Sequence, residues 1–522
     1  MEVLRTDVAI IGGGLGACAA GLAVARLGRR VILTEETHWV GGQLTNQAVP
    51  PDEHPWIEEY GATATYRALR QGIRNYYRLY LPLTAEARRQ SALNPGNGWV
   101  SRLCHDPRVA VAVLHEMMLP HQLGGRLFVM HPHRPIAAWT HHDRLIGMVT
   151  RGLHSRRDTL IEAPFFIDAT PQGELLELAG VERVLGAEAQ GETGEPHAPE
   201  EANPRDQQAI TVCFAIEHRP GEDHTIDKPR QYELWRNYQP PGWPGPLLSW
   251  TTQNPETHEP LTRYLFTADD DHPWWRFRRI LDRTNFAEGF AAGDITAVNW
   301  PQNDYWFGPV CGVDPLEEAR NLDAARQLSL SLLYWLQTEA PRPEGGLGYP
   351  ELRLRGDVMG GTPDGLAPAP YIRESRRLRA EFTVREQHIA YPLRPDGPEI
   401  FPDSVGIGSY RIDLHPRVSG AGYLDLGCWP FQIPLGAMIP VRMENLLPGG
   451  KNLGVTHITN GAFRLHPTEW NIGEAAGLLA GFCLERKLMP RQVRNTPALL
   501  EEFQALLRQQ GIELAWPSLK PL

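Results

Sequence analysis

The stretch "AIIGGGLGACAAG", residues 9–21, decides the fold, because five glycines lie in and after a short apolar run. The run begins at residue 7 and is rich in β-branched side chains, which is typical of a buried parallel strand. Gly12, Gly14 and Ala17 follow in the spacing G-x-G-x-x-A, and the small residues after them predict a helix. A strand, a glycine turn and a helix in this order predict a dinucleotide-binding loop.

Each position of this loop has a physical task. Gly12 allows the tight turn, Gly14 lets the backbone approach a pyrophosphate, and Ala17 lets the helix pack closely on the strand. Leu15 and Gly16 begin the helix, whose free N–H groups can bind phosphate oxygens. The loop alone does not distinguish FAD from NAD.

A second strand is predicted at residues 29–36, "RRVILTEE", and it ends in two acids. Glu35 lies 18 residues after Ala17, where a carboxylate can accept hydrogen bonds from the ribose of adenosine. Glu36 is the neighbouring candidate ligand. A carboxylate here repels a 2′-phosphate, so the strand end disfavours NADP.

A second glycine pair indicates FAD. Gly41 and Gly42, followed by Gln43, lie in "VGGQLT" at residues 40–45. Flavoproteins of the glutathione-reductase type typically carry such a pair after the ribose-binding acid, with its backbone against the pyrophosphate and the flavin edge. Domains that bind only NAD have no need of it.

Residues 126–170 are predicted to form successive strands, and they resemble the small β-meander of such flavoproteins. The last strand, "FFIDAT", ends at Ala169 and Thr170, which are further candidate cofactor ligands. Pro171 stands where those proteins usually have glycine, so the turn that follows differs from theirs.

The third cofactor element is predicted within residues 444–482. "NLLPGGKNL" resembles the strand and glycine turn beneath the flavin, with Gly450 as a candidate ligand. The next helix has Pro467 suited to its first turn, Thr468 as the expected cap and Gly473 on its small face. Its N-terminus is expected to direct the positive end of the helix dipole at flavin N1 and O2.

Together with residues 371–378, 404–416 and 430–440, these segments resemble the FAD-dependent oxidoreductase family, which is related to the flavoprotein subunits of fumarate reductase and succinate dehydrogenase. The matching segments are distributed from residue 7 to residue 485. The resemblance implies FAD as the cofactor. It also implies an α/β fold with a discontinuous, Rossmann-like FAD-binding domain and an interleaved α+β substrate domain.

The domain boundaries follow from where the cofactor segments lie. We predict an FAD-binding domain at 1–50, 105–182 and 430–488, a helical insertion at 51–104, a substrate domain at 183–429 and a C-terminal helical segment at 489–522. Within these, we expect an amphipathic helix at 62–80, a mobile polar loop at 183–206, a strand at 208–217 and a helix at 316–338.

Flavin dehydrogenation needs a base for the proton and a cation or donor for the developing charge. "YIRESRRL" at 371–378 is predicted to place Arg373, Arg376 and Arg377 on one helix. In the related fumarate-reducing flavoproteins, arginines serve substrate carboxylates, which makes Arg373 a candidate catalytic residue. The alternative is a solvated face paired with Glu374.

Two histidine segments provide the candidate base. In "GSYRIDLHP", Asp413 and His415 share a strand face, so the carboxylate could orient the imidazole, and Tyr410 is a further candidate. His457 and Arg464, in "THITNGAFRLHP", are expected beside the flavin ring. Glu53 and His54 lie in a proline-stiffened loop that could close over the ring or be purely structural.

Composition excludes several classes of function. A formal net charge of −11 argues against a nucleic acid or an anionic membrane as partner. The six cysteines form no C-x-x-C pair, which excludes a disulfide reductase and a zinc ribbon. This cysteine usage favours a reducing cytoplasm as the location of the protein. No metal site is predicted. The first lysine is Lys228, which disfavours a flavin halogenase, because that family uses a lysine in its N-terminal part. No apolar run is long enough to span a membrane.

The sequence therefore predicts an FAD oxidoreductase that transfers hydride between flavin N5 and a polar small molecule. Oxidation of a CH–OH group is the first expectation, and reduction of an activated C=C bond is the second. A monooxygenase that uses NAD(P)H and O2 is the alternative. A non-enzymatic FAD protein is disfavoured by the acidic charge, and the oligomeric state stays open, with a homodimer among the alternatives.

Overall fold

The computed structural model describes residues 1–267 and 272–522. The strands are β1 (Glu2–Arg5), β2 (Val8–Ile11), β3 (Val31–Thr34), β4 (Leu127–Met130), β5 (His133–His141), β6 (Arg144–Gly152), β7 (Asp158–Glu162), β8 (Phe165–Asp168), β9 (Arg183–Val184), β10 (Ile210–Thr211), β11 (Phe214–His218), β12 (Thr251–Gln253), β13 (Pro260–Thr262), β14 (Arg279–Leu281), β15 (Ile295–Val298), β16 (Asp304–Tyr305), β17 (Leu352–Leu354), β18 (Tyr371–Ile372), β19 (Arg377–Leu378), β20 (Ser404–Gly408), β21 (Ile412–Leu414), β22 (Leu424–Leu426), β23 (Phe431–Pro434) and β24 (Leu446–Pro448).

The helices are α1 (Leu15–Arg26), α2 (Ala64–Tyr80), α3 (Ala85–Arg89), α4 (Pro107–Leu123), α5 (Glu174–Leu178), α6 (Gln190–Thr193), α7 (Tyr232–Asn237), α8 (Trp274–Phe277), α9 (Pro315–Thr338), α10 (Glu386–Ile389), α11 (His457–Phe463), α12 (His466–Arg486), α13 (Pro490–Asn495) and α14 (Pro497–Gln509). Among the described residues, none of these helices is long and apolar enough to cross a membrane. All six cysteines are buried and free.

A five-stranded parallel sheet is the framework of the cofactor region. Its order is β24-β8-β2-β3-β4, and every neighbouring pair runs parallel. The apolar residues of β2 are completely buried, as expected for a central strand. The expectation that residues 126–130 belong to the meander is wrong, because β4 pairs with β3 at the edge of the parallel sheet.

Of the meander predicted over residues 126–170, the part from β5 to β7 is confirmed. Strands β5, β6 and β7 pair antiparallel in chain order, and β1 joins the sheet parallel to β7. The chain then returns through β8 to the centre of the parallel sheet, beside β2.

Two small-residue helices pack against each other beneath the glycine loop. Helix α1 begins at Leu15, with Gly14 as its N-cap, and ends before Gly28, whose φ of 77° is the left-handed conformation of a helix terminator. A Cβ on Gly473 of α12 would lie 2.0 Å from the carbonyl oxygen of Gly16, so these backbones touch. Gly16 and Gly473 therefore have a packing role, which brings α12 to the loop.

The central part of the chain forms a second core, rich in tryptophan, around the sheet β14-β15-β11-β17 and helix α9. The predicted helix at 316–338 is confirmed as α9, and the one at 62–80 as α2, which Thr63 caps by accepting from the Tyr66 amide. The predicted strand at 208–217 is instead two, β10 and β11.

One expectation about a chain segment needs correction. Residues 183–206, predicted to be a mobile polar loop, contain β9 and α6, and Glu195 among them is only 1 % exposed. Some of the acids of this segment form contacts in the interior: Glu195 accepts a hydrogen bond from the Thr456 hydroxyl at 2.7 Å. The C-terminal segment, predicted to be helical, contains the helices α13 and α14.

Candidate active site

A cavity of about 640 Å³ opens where the parallel strands end. Nine predicted cofactor residues line it: Gly12, Gly14, Glu35, Glu36, Gly42, Gln43, Ala169, Thr170 and Gly450. Most of them directly follow the carboxyl ends of β2, β3, β8 and β24, the edge at which open parallel sheets bind ligands. The other seven lie outside its lining: Leu15, Gly16, Ala17, Gly41, Pro467, Thr468 and Gly473.

The glycine loop forms one wall of the cavity. Gly12 has a φ of 96°, and a Cβ there would lie 2.3 Å from the carbonyl oxygen of Ala169, so both conformation and space require glycine. Gly14 is the N-cap of α1 and makes no side-chain cap, which leaves the amides of the first turn available to an anion. The loop thus has the geometry of a phosphate cradle.

Glu35 lies at the outer end of the cavity. Its Oε1 accepts hydrogen bonds from the amide and the hydroxyl of Thr37, both at 2.7 Å. A Cβ on Gly13 would lie 2.4 Å from Oε2, which shows how closely the carboxylate packs on the loop. Burial raises the pKa of Glu35, so hydrogen-bond donors from a ligand would compensate a desolvated carboxylate.

The inner end of the cavity is polar and is lined by Gln43, Tyr371, Lys451, Arg464 and Glu469. Gln43 donates from Nε2 to Glu469 Oε2 at 2.6 Å and to the Arg464 carbonyl at 3.1 Å. Within the described residues, the buried Oε1 of Gln43 has no hydrogen-bond partner. This orphaned acceptor, with the glycine loop and the Glu35 carboxylate in the same cavity, fits a long dinucleotide with a polar ring.

The first turn of α12 differs from the expectation. Pro467 lies in that turn as predicted, but the helix begins at His466 with Leu465 as its N-cap. Thr468 is therefore already helical and caps nothing, and among the described residues its Oγ1 has no partner. The predicted cap is wrong.

Arg464 connects the cavity to a buried polar cluster behind it. Its guanidinium donates to the Tyr371 hydroxyl at 2.8 Å and to Asp413 Oδ2 at 2.8 Å. His415 directly follows β21 and, like His457, lies outside the cavity lining; its Nε2 is 3.7 Å from the same Oδ2. The expectation that Asp413 and His415 lie on one face is confirmed.

The closer partner of His415 is a carboxylate that the sequence did not indicate. Nδ1 of His415 lies 2.5 Å from Oδ2 of Asp304, at the start of β16. Asp304 also accepts from Thr211 Oγ1 and pairs with Arg373 at 3.0 Å. These cations and donors hold the pKa of the buried Asp304 below its usual value, against the effect of burial.

The helix predicted over 371–378 is absent. Residues 371–372 are strand β18 and residues 377–378 are strand β19, because their backbones pair with β10 and β9. Arg373 is 2 % exposed and faces Asp304, and so it does not lie on a solvated face. Arg377 is completely buried against Glu374, while Arg376 pairs with Glu177.

Tyr410 and Tyr371 lie among the charges of the cluster. Burial, reinforced by Asp52 and Asp413, raises the pKa of Tyr410 well above its usual value, and burial also raises that of Tyr371. Both phenols therefore keep their protons. Asp52 in turn pairs with Arg278 at 3.2 Å.

His457 lies outside the cavity lining, although we expected it beside the flavin ring. It is 1 % exposed, and its Nδ1 lies 2.8 Å from Glu374 Oε2. Its Nε2 accepts from Arg417 at 3.0 Å. With both ring nitrogens engaged, His457 has the environment of a structural residue.

The loop that contains Glu53 and His54 is also held by structural contacts. Glu53 pairs with Arg70 of α2 at 2.8 Å and accepts from the Tyr66 hydroxyl at 2.8 Å. His54 Nε2 contacts the Gly61 carbonyl at 3.0 Å. These contacts anchor the loop to α2.

A cradle for a dinucleotide that leads to a buried cluster of Asp, His and Arg is the arrangement of a nucleotide-dependent oxidoreductase. The family model for FAD dependent oxidoreductase matches residues 7–507. The chain belongs to this family, and its cofactor is FAD. No curated protein matches the chain.

Solved structures that resemble the chain include other flavoproteins. A geranylgeranyl bacteriochlorophyll reductase-like protein from Thermoplasma acidophilum has 11% identity and a TM-score of 0.36, and the match covers 98% of this chain and 85% of that one. Quinol fumarate reductase FrdA from E. coli has 10% identity and a TM-score of 0.33, with 98% and 74% covered. The flavin-dependent monooxygenase PieE has 13% identity and a TM-score of 0.25, and the match covers 42% of this chain and 36% of that one.

Proposed function

We propose that the chain binds FAD along the cavity in a Rossmann-like arrangement and oxidises a CH–OH group of a neutral, polar small molecule. In this proposal Glu35 holds the ribose, the loop from Gly12 to Gly14 holds the pyrophosphate, and the flavin ring lies at the inner end near Gln43. The positions of the lining residues at the strand ends support this orientation.

The observation that carries the proposed reaction is the environment of His415. When Nδ1 carries the proton and donates a hydrogen bond to Asp304, Nε2 keeps its lone pair. Asp413 lies 3.7 Å from Nε2, too far for a hydrogen bond but close enough to stabilise a protonated ring. His415 is therefore suited to take the proton of a substrate hydroxyl.

The charges of the cluster favour a neutral substrate. Arg278 pairs with Asp52 at 3.2 Å, Arg373 with Asp304 at 3.0 Å, and Arg464 with Asp413 at 2.8 Å. Each guanidinium therefore already has a carboxylate, and the six charges sum to zero. A dicarboxylate would have to displace these pairs, whereas hydroxyl groups can hydrogen-bond to them.

When bound, FAD supplies the acceptor for the hydride at its N5 atom. The residues of this chain would bind and orient the alcohol. Tyr371 lines the cavity and accepts from Arg464, so its own hydroxyl hydrogen is free to reach the substrate oxygen. Its position between cavity and cluster suits a donor that holds this oxygen while His415 removes the proton.

Anaerobic reduction tests the proposal. The purified protein, loaded with FAD, is mixed without oxygen with a panel of sugars, polyols and secondary alcohols, and the visible flavin absorbance is followed. We expect bleaching by at least one neutral alcohol and no bleaching by dicarboxylates such as succinate. Bleaching only by NAD(P)H, followed by an oxygen-dependent product, would instead assign a monooxygenase. A protein that binds no FAD would refute the proposal altogether.

A further inference from the structure

One cation at the inner end of the cavity takes no part in the proposed proton and hydride transfer. Lys451 follows Gly450 in the turn after β24, and of the four lysines in the chain it alone lines the cavity. Within the described residues, its ammonium forms no ion pair and no hydrogen bond. By contrast, Arg464, the cavity's nearby guanidinium, is paired with Asp413 at 2.8 Å.

The backbone around Lys451 is held in place. The Gly449 amide and the side-chain amide of Asn452 both donate to the Asp168 carbonyl, at 2.7 and 2.9 Å. The Lys451 carbonyl itself accepts from Asn460 Nδ2 at 3.3 Å. The lysine therefore starts from a fixed point between β24 and α11 and directs its side chain into the cavity.

Holding this ammonium in the interior is costly. Burial lowers the pKa of Lys451, and Glu469 partly opposes this effect. Glu469 is itself engaged, because it accepts from Gln43 at 2.6 Å. The Glu469 carboxylate lines the same cavity as the Lys451 ammonium, and a bound ligand that carries negative charge would stabilise this ammonium further.

The first turn of α12 is a poor source of positive charge for the flavin. Pro467 has no N–H, and Glu469 brings a carboxylate into the cavity from that same turn. The sequence predicts that the dipole of this helix stabilises negative charge at flavin N1 and O2, but another group is needed for this role.

We propose that Lys451 faces the N1–C2=O2 edge of the flavin and stabilises the negative charge that this edge carries after reduction. The inference rests on the proposed placement of FAD, with its ring at the inner end. Lys451 keeps its proton throughout and takes no part in hydride or proton transfer. By favouring the reduced form, it raises the reduction potential of the bound flavin.

The test measures the midpoint potential of the FAD-loaded protein without substrate, by anaerobic reductive titration against a dye of known potential. We expect Lys451→Met to shift the equilibrium between oxidised and reduced flavin at least tenfold toward the oxidised form. For a two-electron couple this lowers the midpoint potential by about 30 mV. Lys451→Arg keeps the positive charge, so its midpoint potential should be close to that of the wild type. The dissociation constant for FAD is measured for each variant.

A Lys451→Met variant with unchanged potential would overturn the inference. If its affinity for FAD falls at the same time, Lys451 binds phosphate instead. Glu469→Gln is the second variant: it removes the opposing charge and should raise the potential, so the inference stays testable if Lys451→Met does not fold. The potential is measured without substrate, so it tests Lys451 even if the wild type binds FAD but oxidises no alcohol. A wild type that binds no FAD would instead refute the proposed function.

Discussion

Nδ1 of His415 and Oδ2 of Asp304 lie 2.5 Å apart, although 111 residues separate them in the chain. His415 follows β21, while Asp304 begins β16, which pairs with β10. The contact fixes the ring of His415 so that its second nitrogen is directed toward Asp413. The proposed base therefore depends on a residue that is remote in sequence.

Replacing Asp304 should impair proton removal without loss of the cofactor. In Asp304→Asn the carboxylate that fixes the His415 tautomer is lost, so we expect flavin reduction by substrate to slow about a hundredfold or more. Stopped-flow absorbance measures this rate. The control is Asp323→Asn, which removes an exposed carboxylate paired with Arg230. Equal rates in Asp304→Asn and the wild type would contradict the role of the Asp–His pair.

Tyr371 should contribute through its hydroxyl alone. Tyr371→Phe keeps the ring beneath the Arg373 guanidinium, which lies 5.1 Å from its centroid, but removes the proposed donor to the substrate oxygen. We expect the rate of flavin reduction to fall about a hundredfold with little change in FAD affinity. Tyr80→Phe, at an exposed position of α2, is the matched control. Loss of FAD binding without a rate effect would assign Tyr371 to the cofactor instead.

Substitutions at Gly12 and Gly28 distinguish the cost of backbone strain from the cost of a steric clash. Both have positive φ, but a Cβ at Gly28 meets nothing within 4 Å, whereas at Gly12 it lies 2.3 Å from the Ala169 carbonyl oxygen. Gly28→Ala should lower the free energy of unfolding by about 1 kcal/mol and leave FAD binding intact. Gly12→Ala should lower it further and abolish FAD binding. Urea denaturation and FAD titration measure the two effects, and normal FAD affinity in Gly12→Ala would exclude Gly12 from the phosphate cradle.

Glu174, at the cavity wall, should make stability depend on pH. Burial, with Glu36 and Asp168 nearby, raises its pKa to about 8 from a usual 4.5. Between these values the folded chain holds a proton that the unfolded chain has released, so stability falls as pH rises, by up to about 1.4 kcal/mol per pH unit. Below pH 4.5 this penalty is absent.

Glu174→Gln removes that slope. Urea denaturation without added FAD, at pH 5 and pH 8, should show the variant gaining stability over the wild type as pH rises. Glu200→Gln, at an exposed site, is the control and should show no such gain. If the free energies of unfolding of Glu174→Gln and the wild type differ by the same amount at pH 5 and pH 8, the Glu174 carboxyl lies in water.

The cofactor half of the site could be predicted because its residues are set by local order along the chain. A glycine turn after a buried strand places Gly12 and Gly14 at the sheet edge, and the acid at the end of the next strand, Glu35, reaches the same edge. The proposed catalytic cluster depends on contacts between distant segments. Nothing near Asp304 or Arg278 in the sequence marks them as partners of His415 and Asp52.

The wrong predictions have the same physical origin. The charged residues of 371–378 favour a helix locally, but pairing of Tyr371 with β10 and of Arg377 with β9 overrides this propensity. Thr468 has a side chain suited to capping, yet α12 begins two residues earlier, so the hydroxyl arrives inside the helix.

The order of the parallel sheet has a consequence for synthesis on the ribosome. Strand β8 lies between β2, near the beginning of the chain, and β24, near its end. Helix α1 must also wait for α12, because Gly16 packs on Gly473. The apolar surfaces of β2 and α1 therefore emerge long before their last partners are translated. The nascent chain must keep them from aggregating until α12 has left the exit tunnel, and the cavity between these elements assembles only then.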